Sequence, residues 1–562
     1  METNTSHPIR AWFQKWGLVV VLSLALVIII FDTTMLNVSI RNVVHDLGTS
    51  LRNVQWAITI YSLVMAAFML TGGRIGDMYG RKKLFLIGVV VYATGTITAA
   101  LSPNVNVLIL GWSIIEGIGA ALMMPATVSL ILANYRGRDL RIAFGIWGGT
   151  AGATAALGPL FGGYMTTHFS WRWAFATEVI IVIVILALAR YIRDPRTHDA
   201  SREKLDYLGA ILSAFGLGSV VFGLLEASQY GWWKAKEIYS MGDIAIHPFD
   251  LSITPIAVAL GVLILIFFGF WQRRLHRSQR ADGLVPLMNP VILQNRAFST
   301  GIVTLTILVL AQSGIFFTIP VLLQAILGLS AFDTGLALMP MSIALFIAAG
   351  LFSRFTGRFH ARYIIQLGIL ISFISAFVLK SEFSVDMSQW DLIPGLALYG
   401  FGFGLIMSQI TNLTLATIPL QFSGQASGLN TTFRTVGQAL GTAIIGTILL
   451  SSLLSHVETG VQDLVNIPEA MKPQLIEAIE EQARTFGNAE PGDTSNIPAE
   501  LLPQLSRLQY EAIVDSNKDV MNYAAAFTLL TLIASFFLPR DAEHEEMAAA
   551  GASLTDPVAE PK

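Results

Sequence analysis

Fourteen runs of about twenty apolar residues, separated by short charged or polar stretches, dominate this chain. They lie near 17–40, 54–71, 84–101, 107–134, 142–165, 173–192, 205–228, 253–272, 297–323, 333–352, 363–380, 391–417, 425–453 and 521–538. A bilayer core about 30 Å thick needs roughly 20 helical residues to cross it. Only 13% of the 562 residues are charged and 54% are hydrophobic, whereas a soluble domain carries about 25% charged residues. The chain therefore reads as an all-α, polytopic membrane protein with 14 spans. The first apolar run leads into Asp32 rather than a small-residue cleavage site, so no cleavable signal peptide is expected.

An even number of spans puts both termini on one side. Lys and Arg number 23 in the loops on the amino-terminal side and six in the short loops opposite. Positive charge stays inside, so both termini are expected in the cytoplasm and the protein in the cytoplasmic membrane. Cysteine is absent, which excludes disulfides, thiolate metal sites and cysteine nucleophiles. No His/Asp/Glu metal cluster, Ser/His pairing or phosphate-binding loop of the G-x-x-x-x-G-K-S/T kind stands out. An enzyme or ATP-driven pump is thus not expected, nor any cofactor or nucleic-acid partner.

The stretch GGRIGDMYGRKKLF, residues 72–85, packs five charges and four glycines between two apolar runs. Charges this dense mark a short loop at a membrane face. Its G-x-L/I-G-D-x-x-G-R-K spacing, carried by Gly73, Ile75, Asp77, Gly80, Arg81 and Lys82, resembles the loop joining spans 2 and 3 in the major facilitator superfamily, with Met78 where a basic residue is usual. A weaker echo at 353–368, SRFTGRFHARYIIQLG, fits the two-bundle build of that superfamily. The resemblance covers roughly 17–452 and implies a major facilitator fold of two six-helix bundles. These would be 17–192, after a cytoplasmic lead 1–16, and 297–538. Two extra spans and a cytoplasmic linker occupy 193–296. An external insertion is expected at 454–520, with short amphipathic helices in MKPQLIEAIEEQARTF and PAELLPQLSRLQYEAIV, and a disordered cytoplasmic tail at 539–562.

Charge inside apolar runs carries function, because a charge in hydrocarbon is costly and must face a cavity or a partner. Asp32, Glu116, Glu178 and Glu226 are the intramembrane acids, and Arg434 is the intramembrane base. Four acids against one base leave carboxylates free to gain and lose protons, the property a proton-coupled carrier needs. Asp32, in FDTTMLNVSI, is the first candidate; a structural acid bonded to a nearby hydroxyl is the plainer reading. The pattern D-x-T-x-x-N-V-S resembles the first span of the fourteen-span drug:proton antiporter branch, with Arg41 in place of a proline. In span 4 the branch usually has an arginine where this chain has Ser113, and often Gln at Glu116. In span 6 Glu178 stands where Asn is common. Glu226, near the end of span 7, is expected to reach water along its stem. Arg434 either pairs with an acid across the bundles or satisfies helix carbonyls.

Gly158, Pro159, Gly162 and Gly163 form G-P-x-x-G-G, similar to the antiporter motif of exporters in this superfamily; a plain glycine–proline kink reads the same way. The resemblance implies a multidrug-efflux antiporter whose partners are protons, membrane lipid and small amphipathic, cationic molecules. A lipid or glycolipid exporter on the same fold is the alternative. Whether a periplasmic adaptor joins it is left open by the sequence.

Overall fold

The computed structural model describes residues 8–49, 51–194, 204–235, 239–241, 244–246, 251–278, 283–355, 360–463, 472 and 502–540. With no water in the bilayer core, each backbone N–H and C=O must be satisfied within its own segment, so apolar runs fold as helices. The first bundle contains α1 (Pro8–Asp46), α2 (Leu51–Tyr79), α3 (Arg81–Ala100), α4 (Val105–Asn134), α5 (Gly137–His168) and α6 (Trp171–Leu188). A pair follows, α7 (Tyr207–Tyr230) and α8 (Ile253–Ser278), joined through a small antiparallel hairpin of β1 (Tyr239–Met241) and β2 (Ile244–Ile246). The second bundle holds α9 (Arg296–Ile326), α10 (Met339–Phe355), α11 (Ala361–Glu382), α12 (Ile393–Leu415), α13 (Ser423–Asp463) and α14 (Leu502–Ser535). Twelve of the described helices are long and apolar enough to cross a membrane. The less apolar α5 and α14, 32 and 34 residues long, pack among them.

Each bundle has its own apolar core, one centred on α1, α3 and α4 and the other on α9, α11 and α12. The bundles meet where α2 packs on α13 and where α5 packs on α10 and α12. The α7–α8 pair sits at the first of these seams, with α7 against both α2 and α13. Val221 and Leu224 bury with Ala66 and Ala439, and Trp232 Nε1 donates to Thr447 Oγ1 at 2.8 Å.

Several boundaries differ from the sequence reading. Residues 8–16, expected as a separate lead, already belong to α1. The linker expected from 273 begins later, because Arg273 to Ser278 continue α8. The insertion expected at 454–520 is bounded differently: α13 runs on to Asp463, and the described part of PAELLPQLSRLQYEAIV, from Leu502, opens α14 instead of forming a separate short helix. Pro503 sits in the first turn of α14, where its missing N–H has no partner to lose. MKPQLIEAIEEQARTF, apart from Lys472, and the tail after Arg540 lie outside the described residues. Glu226 does not reach water; it is buried near the end of α7.

The extensions of α13 and α14 pack on each other through Val457, Val461 and Ala512. Asp519 ties them together, accepting from Ser452 Oγ and pairing with His456 Nε2 at 3.0 Å. Burial alone would raise its carboxyl. The hydrogen bonds of Ser452 and His456, with the charges of His456 and Lys380, outweigh that effect and hold it below the ordinary carboxylate range. A depressed folded-state pKa stabilises the folded form above the unfolded value and loses that effect as pH falls through the folded one. Asp519→Asn should therefore lower the thermal midpoint at pH 7, and the difference from wild type should shrink as the pH falls below the ordinary carboxylate range, as scanning calorimetry over a pH series would register.

Candidate functional site

Three helices of the first bundle bring Asp32 (α1), Glu116 (α4) and Glu178 (α6) together. One carboxylate oxygen from each lies within 4.8 Å of the others. Their side chains are sealed from solvent, at 1%, 0% and 1% exposure. Local packing produces this convergence. Over Ile109–Glu116 α4 adopts a π-helix, a wider turn common at functional sites. Gly95 of α3 fits against it so closely that a Cβ there would lie 2.5 Å from Glu116 N. Gly119 similarly admits the Tyr92 backbone. On the other side of α1, Gly162 of α5 leaves room for Met35, whose Cα would stand 2.8 Å from an added Cβ, and Gly158 admits Thr34. The glycines of the antiporter-like motif thus seat α5 directly over the turn of α1 that carries Asp32, while Gly163 is buried beside them.

Two hydroxyls serve the triad. Tyr92 Oη donates to Glu178 Oε2 at 2.9 Å, and Thr96 Oγ1 donates to Glu116 Oε2 at 2.8 Å. Among the described residues, Asp32 Oδ1 and Oδ2, Glu116 Oε1 and Glu178 Oε1 have no hydrogen-bond partner. Tyr61 and Trp112 present their polar ends to Asp32, yet Tyr61 Oη and Trp112 Nε1 reach no hydrogen-bond geometry. Their rings stack on each other at 5.2 Å and 12°, and Phe175 meets Trp112 edge-on at 6.4 Å. The result is a buried acidic cluster with an aromatic wall. Its free oxygens can share protons or grip one small cation.

Arg434 does not join this group. It lies 11 residues into α13, about 16 Å along the helix from Ser423, and it is not among the charges acting on the three acids. The pairing of Arg434 with the triad across the bundles is therefore absent among the described residues. Ser113, where the branch usually has arginine, donates to Ala57 O at 2.7 Å and so ties α4 to α2. Sequence reasoning missed Tyr92, Thr96, Tyr61 and Trp112. A tyrosine and a threonine four residues apart in the middle of an apolar run were the available signal, since that spacing shares one helix face.

The 72–85 stretch, read as a short loop at a membrane face, has a single residue between its two helices. The helix α2 continues to Tyr79, and Gly80 alone makes the turn at φ 103°, a left-handed value that favours glycine. Arg74, Asp77 and Arg81 face protein, whereas Lys83 is exposed. Asp77 accepts from the N–H groups of Gly424 at 2.9 Å and Gln425 at 3.0 Å, in the first turn of α13. Arg81 donates to Asp77 and to Leu420 O, and is only 5% exposed. A carboxylate on the N–H groups that open a helix satisfies orphan donors and meets the positive end of its dipole. Gly73 and Gly424 touch backbone to backbone, which only glycine permits. Lys82 N meets Asp194 Oδ2 at 3.0 Å, fixing the start of α3. This clasp locks the first bundle to the second on the amino-terminal face.

The sequence matches the Major Facilitator Superfamily across residues 22–442. The chain belongs to the major facilitator superfamily. Its relatives include the tetracenomycin C resistance and export protein of Streptomyces glaucescens, 26% identical over 535 residues and covering 95% of this chain and 93% of that one. The puromycin resistance protein pur8 of Streptomyces alboniger is 29% identical, covering 80% and 84%. The multidrug resistance protein Stp of Mycobacterium tuberculosis is 27% identical, covering 79% and 78%. The fold is also that of the human organic anion transporter MFSD10, with a TM-score of 0.55 at 11% identity over 93% of this chain and 99% of that one. The proton:xylose symporter XylE superposes with a TM-score of 0.53 at 13% identity, over 94% and 97%. Members of the superfamily carry small molecules across membranes and are not enzymes.

The Asp77 clasp yields a direct expectation for this superfamily member. Losing a charged acceptor of two N–H groups costs about 1.5–3 kcal/mol, so Asp77→Ala should shift the balance toward the open amino-terminal face about tenfold or more. The chain has no native cysteine, so a single Ser427→Cys, buried behind the clasp, reports the change. Its labelling by a water-soluble maleimide should accelerate by a similar factor in the Asp77→Ala background; equal rates would remove the clasp from the gate.

Proposed function

We propose that this chain is a proton-coupled antiporter that expels amphipathic, cationic drugs or toxic compounds across the cytoplasmic membrane. In this reading all fourteen long helices span the bilayer and both termini lie in the cytoplasm, consistent with the bias of Lys and Arg toward the amino-terminal face. Drug efflux is supported by relatives whose names record tetracenomycin C export and puromycin or multidrug resistance.

The observation that carries the coupling is the triad of Asp32, Glu116 and Glu178. It exposes four unpartnered oxygens in a sealed pocket without a basic neighbour. Three like charges at this separation in a buried site cannot all persist, so protons or a cation must occupy it. With the outer side open, protons enter and displace cationic cargo; with the inner side open, they leave and cargo replaces them. The stacked Tyr61 and Trp112 faces beside Asp32 suit an organic cation, which binds both a carboxylate and a ring face. The Asp77–Arg81 clasp acts as the inner gate, and the Gly158–Gly163 segment lets α5 slide on α1 as the gates alternate. With Ser113 where the branch usually has an arginine, Glu116 carries part of the proton-transfer role in span 4 or binds the cationic cargo.

Ethidium efflux from energised vesicles tests this directly. Asp32→Asn should reduce proton-driven efflux by at least about tenfold, and Glu178→Gln should reduce it while leaving folding intact. Wild-type efflux of ethidium that persists when the proton gradient is collapsed would remove proton coupling. A wild type that moves no cation at all would redirect the reading to lipid cargo, and a fully active Glu178→Gln would exclude that residue.

A further inference from the structure

We infer that the α8 end on the amino-terminal face is a binding site for an anionic phospholipid of the inner leaflet, which fastens the α7–α8 pair at the seam between the bundles. The leaflet assignment rests on the orientation given above. Along one side of α8, Leu260, Leu263, Phe267 and Phe270 point outward, each more than half exposed. Spacings of three and four residues put them in one stripe. Continuing the same face, Arg273, Arg274 and Arg277 join Phe270 and Ser278 around a cavity of about 380 Å³. The surface thus runs from greasy to cationic, the polarity profile of a lipid with its headgroup at the membrane face.

Three features make this more than a generic basic edge. The helix end is held still: Asp206 caps α7 by accepting from Gly209 N at 2.9 Å. It also accepts from Trp271 Nε1 at 3.0 Å and Gln272 Nε2 at 2.7 Å on α8. Gln272 Oε1 in turn accepts from Met288 N at 3.2 Å. Trp271 and Gln272 face α7, which leaves the three arginines turned away from it. Among the described residues no acidic side chain lines the cavity and none of the three arginines forms an ion pair. Guanidinium forks match the paired oxygens of a phosphodiester better than a point charge does, and basic pockets on the cytoplasmic side of membrane helices suit anionic headgroups. A soluble phosphate would satisfy the arginines but not the apolar stripe that leads to them, so the lipid is the occupant with full complementarity.

The consequence reaches the seam, because α7 contacts both α2 and α13. A lipid gripping α8 restrains a pair that bridges two bodies moving against each other.

Native mass spectrometry and thermal unfolding of the full chain in nanodiscs test the site independently of transport and of which way the chain faces. With phosphatidylglycerol against phosphatidylcholine of the same tails, the wild type should retain phosphatidylglycerol adducts and unfold several degrees higher. Arg273→Gln/Arg274→Gln/Arg277→Gln should lose about 100-fold in phosphatidylglycerol affinity, at roughly a factor of five per arginine. The matching triple Lys variant, which keeps charge but loses the forks, should fall between and serves as the folding control. Equal retention of both lipids by the wild type, or wild-type retention by the Gln variant, would overturn the proposal. Displacement of the adduct by millimolar inorganic phosphate would overturn it in favour of a soluble phosphate site. An Asp32→Asn variant that loses efflux but keeps the adduct would separate the two readings, since it leaves the lipid site intact.

Discussion

Placing three carboxylates in a low-dielectric interior is the constraint around which the first bundle is built. An ionised acid without a partner is among the costliest things to bury, and proximity of like charges adds to the cost. Among the described residues two hydroxyls, Tyr92 and Thr96, offset it. The surroundings are otherwise apolar or aromatic, so the site retains an appetite for positive charge. That unmet demand is what a carrier of protons and cations uses.

The glycines serve this arrangement. Close approach of α3 to α4 at Gly95 and Gly119, and of α5 to α1 at Gly158 and Gly162, draws the acid-bearing turns toward one point. In membranes, where helices gain no hydrophobic drive from each other, such backbone proximity is the main source of packing energy. The same device works between the bundles, where Gly73 lies on Gly424 so that Asp77 can reach the first N–H groups of α13. Positioning of charge by glycine therefore recurs at the pocket and at the clasp, one holding the acids together and the other holding the bundles together.

Much of this was legible in the chain. Apolar runs located each long helix, though α1, α13 and α14 extend about 10 to 20 residues past theirs, and Asp32, Glu116 and Glu178 were visible as acids where lipid forbids them. Their convergence was not, because it depends on which faces of α1, α4 and α6 meet and on a π-helical turn that no hydropathy pattern announces. The charged 72–85 stretch reads as a short loop at a membrane face in which Asp77 can take backbone N–H groups at a helix start or pair with Arg81; it does both, but that the N–H groups lie 347 residues away, on the second bundle, no local pattern announces. Arg434 illustrates the converse: an intramembrane base suggests an acid partner, yet tertiary placement puts it away from the triad. Glu226 was expected to snorkel from the end of a span, but packing at the α7 seam covers that end.

The central claim is that cargo and protons compete for the same three carboxylates. Purified protein in weakly buffered detergent solution, mixed with a saturating cationic cargo such as ethidium beside a pH-sensitive dye, measures this in one step. Binding should release at least one proton per protein in the wild type and none when Asp32, Glu116 and Glu178 are all replaced by their amides. Tight cargo binding by the wild type with no proton released would contradict the account.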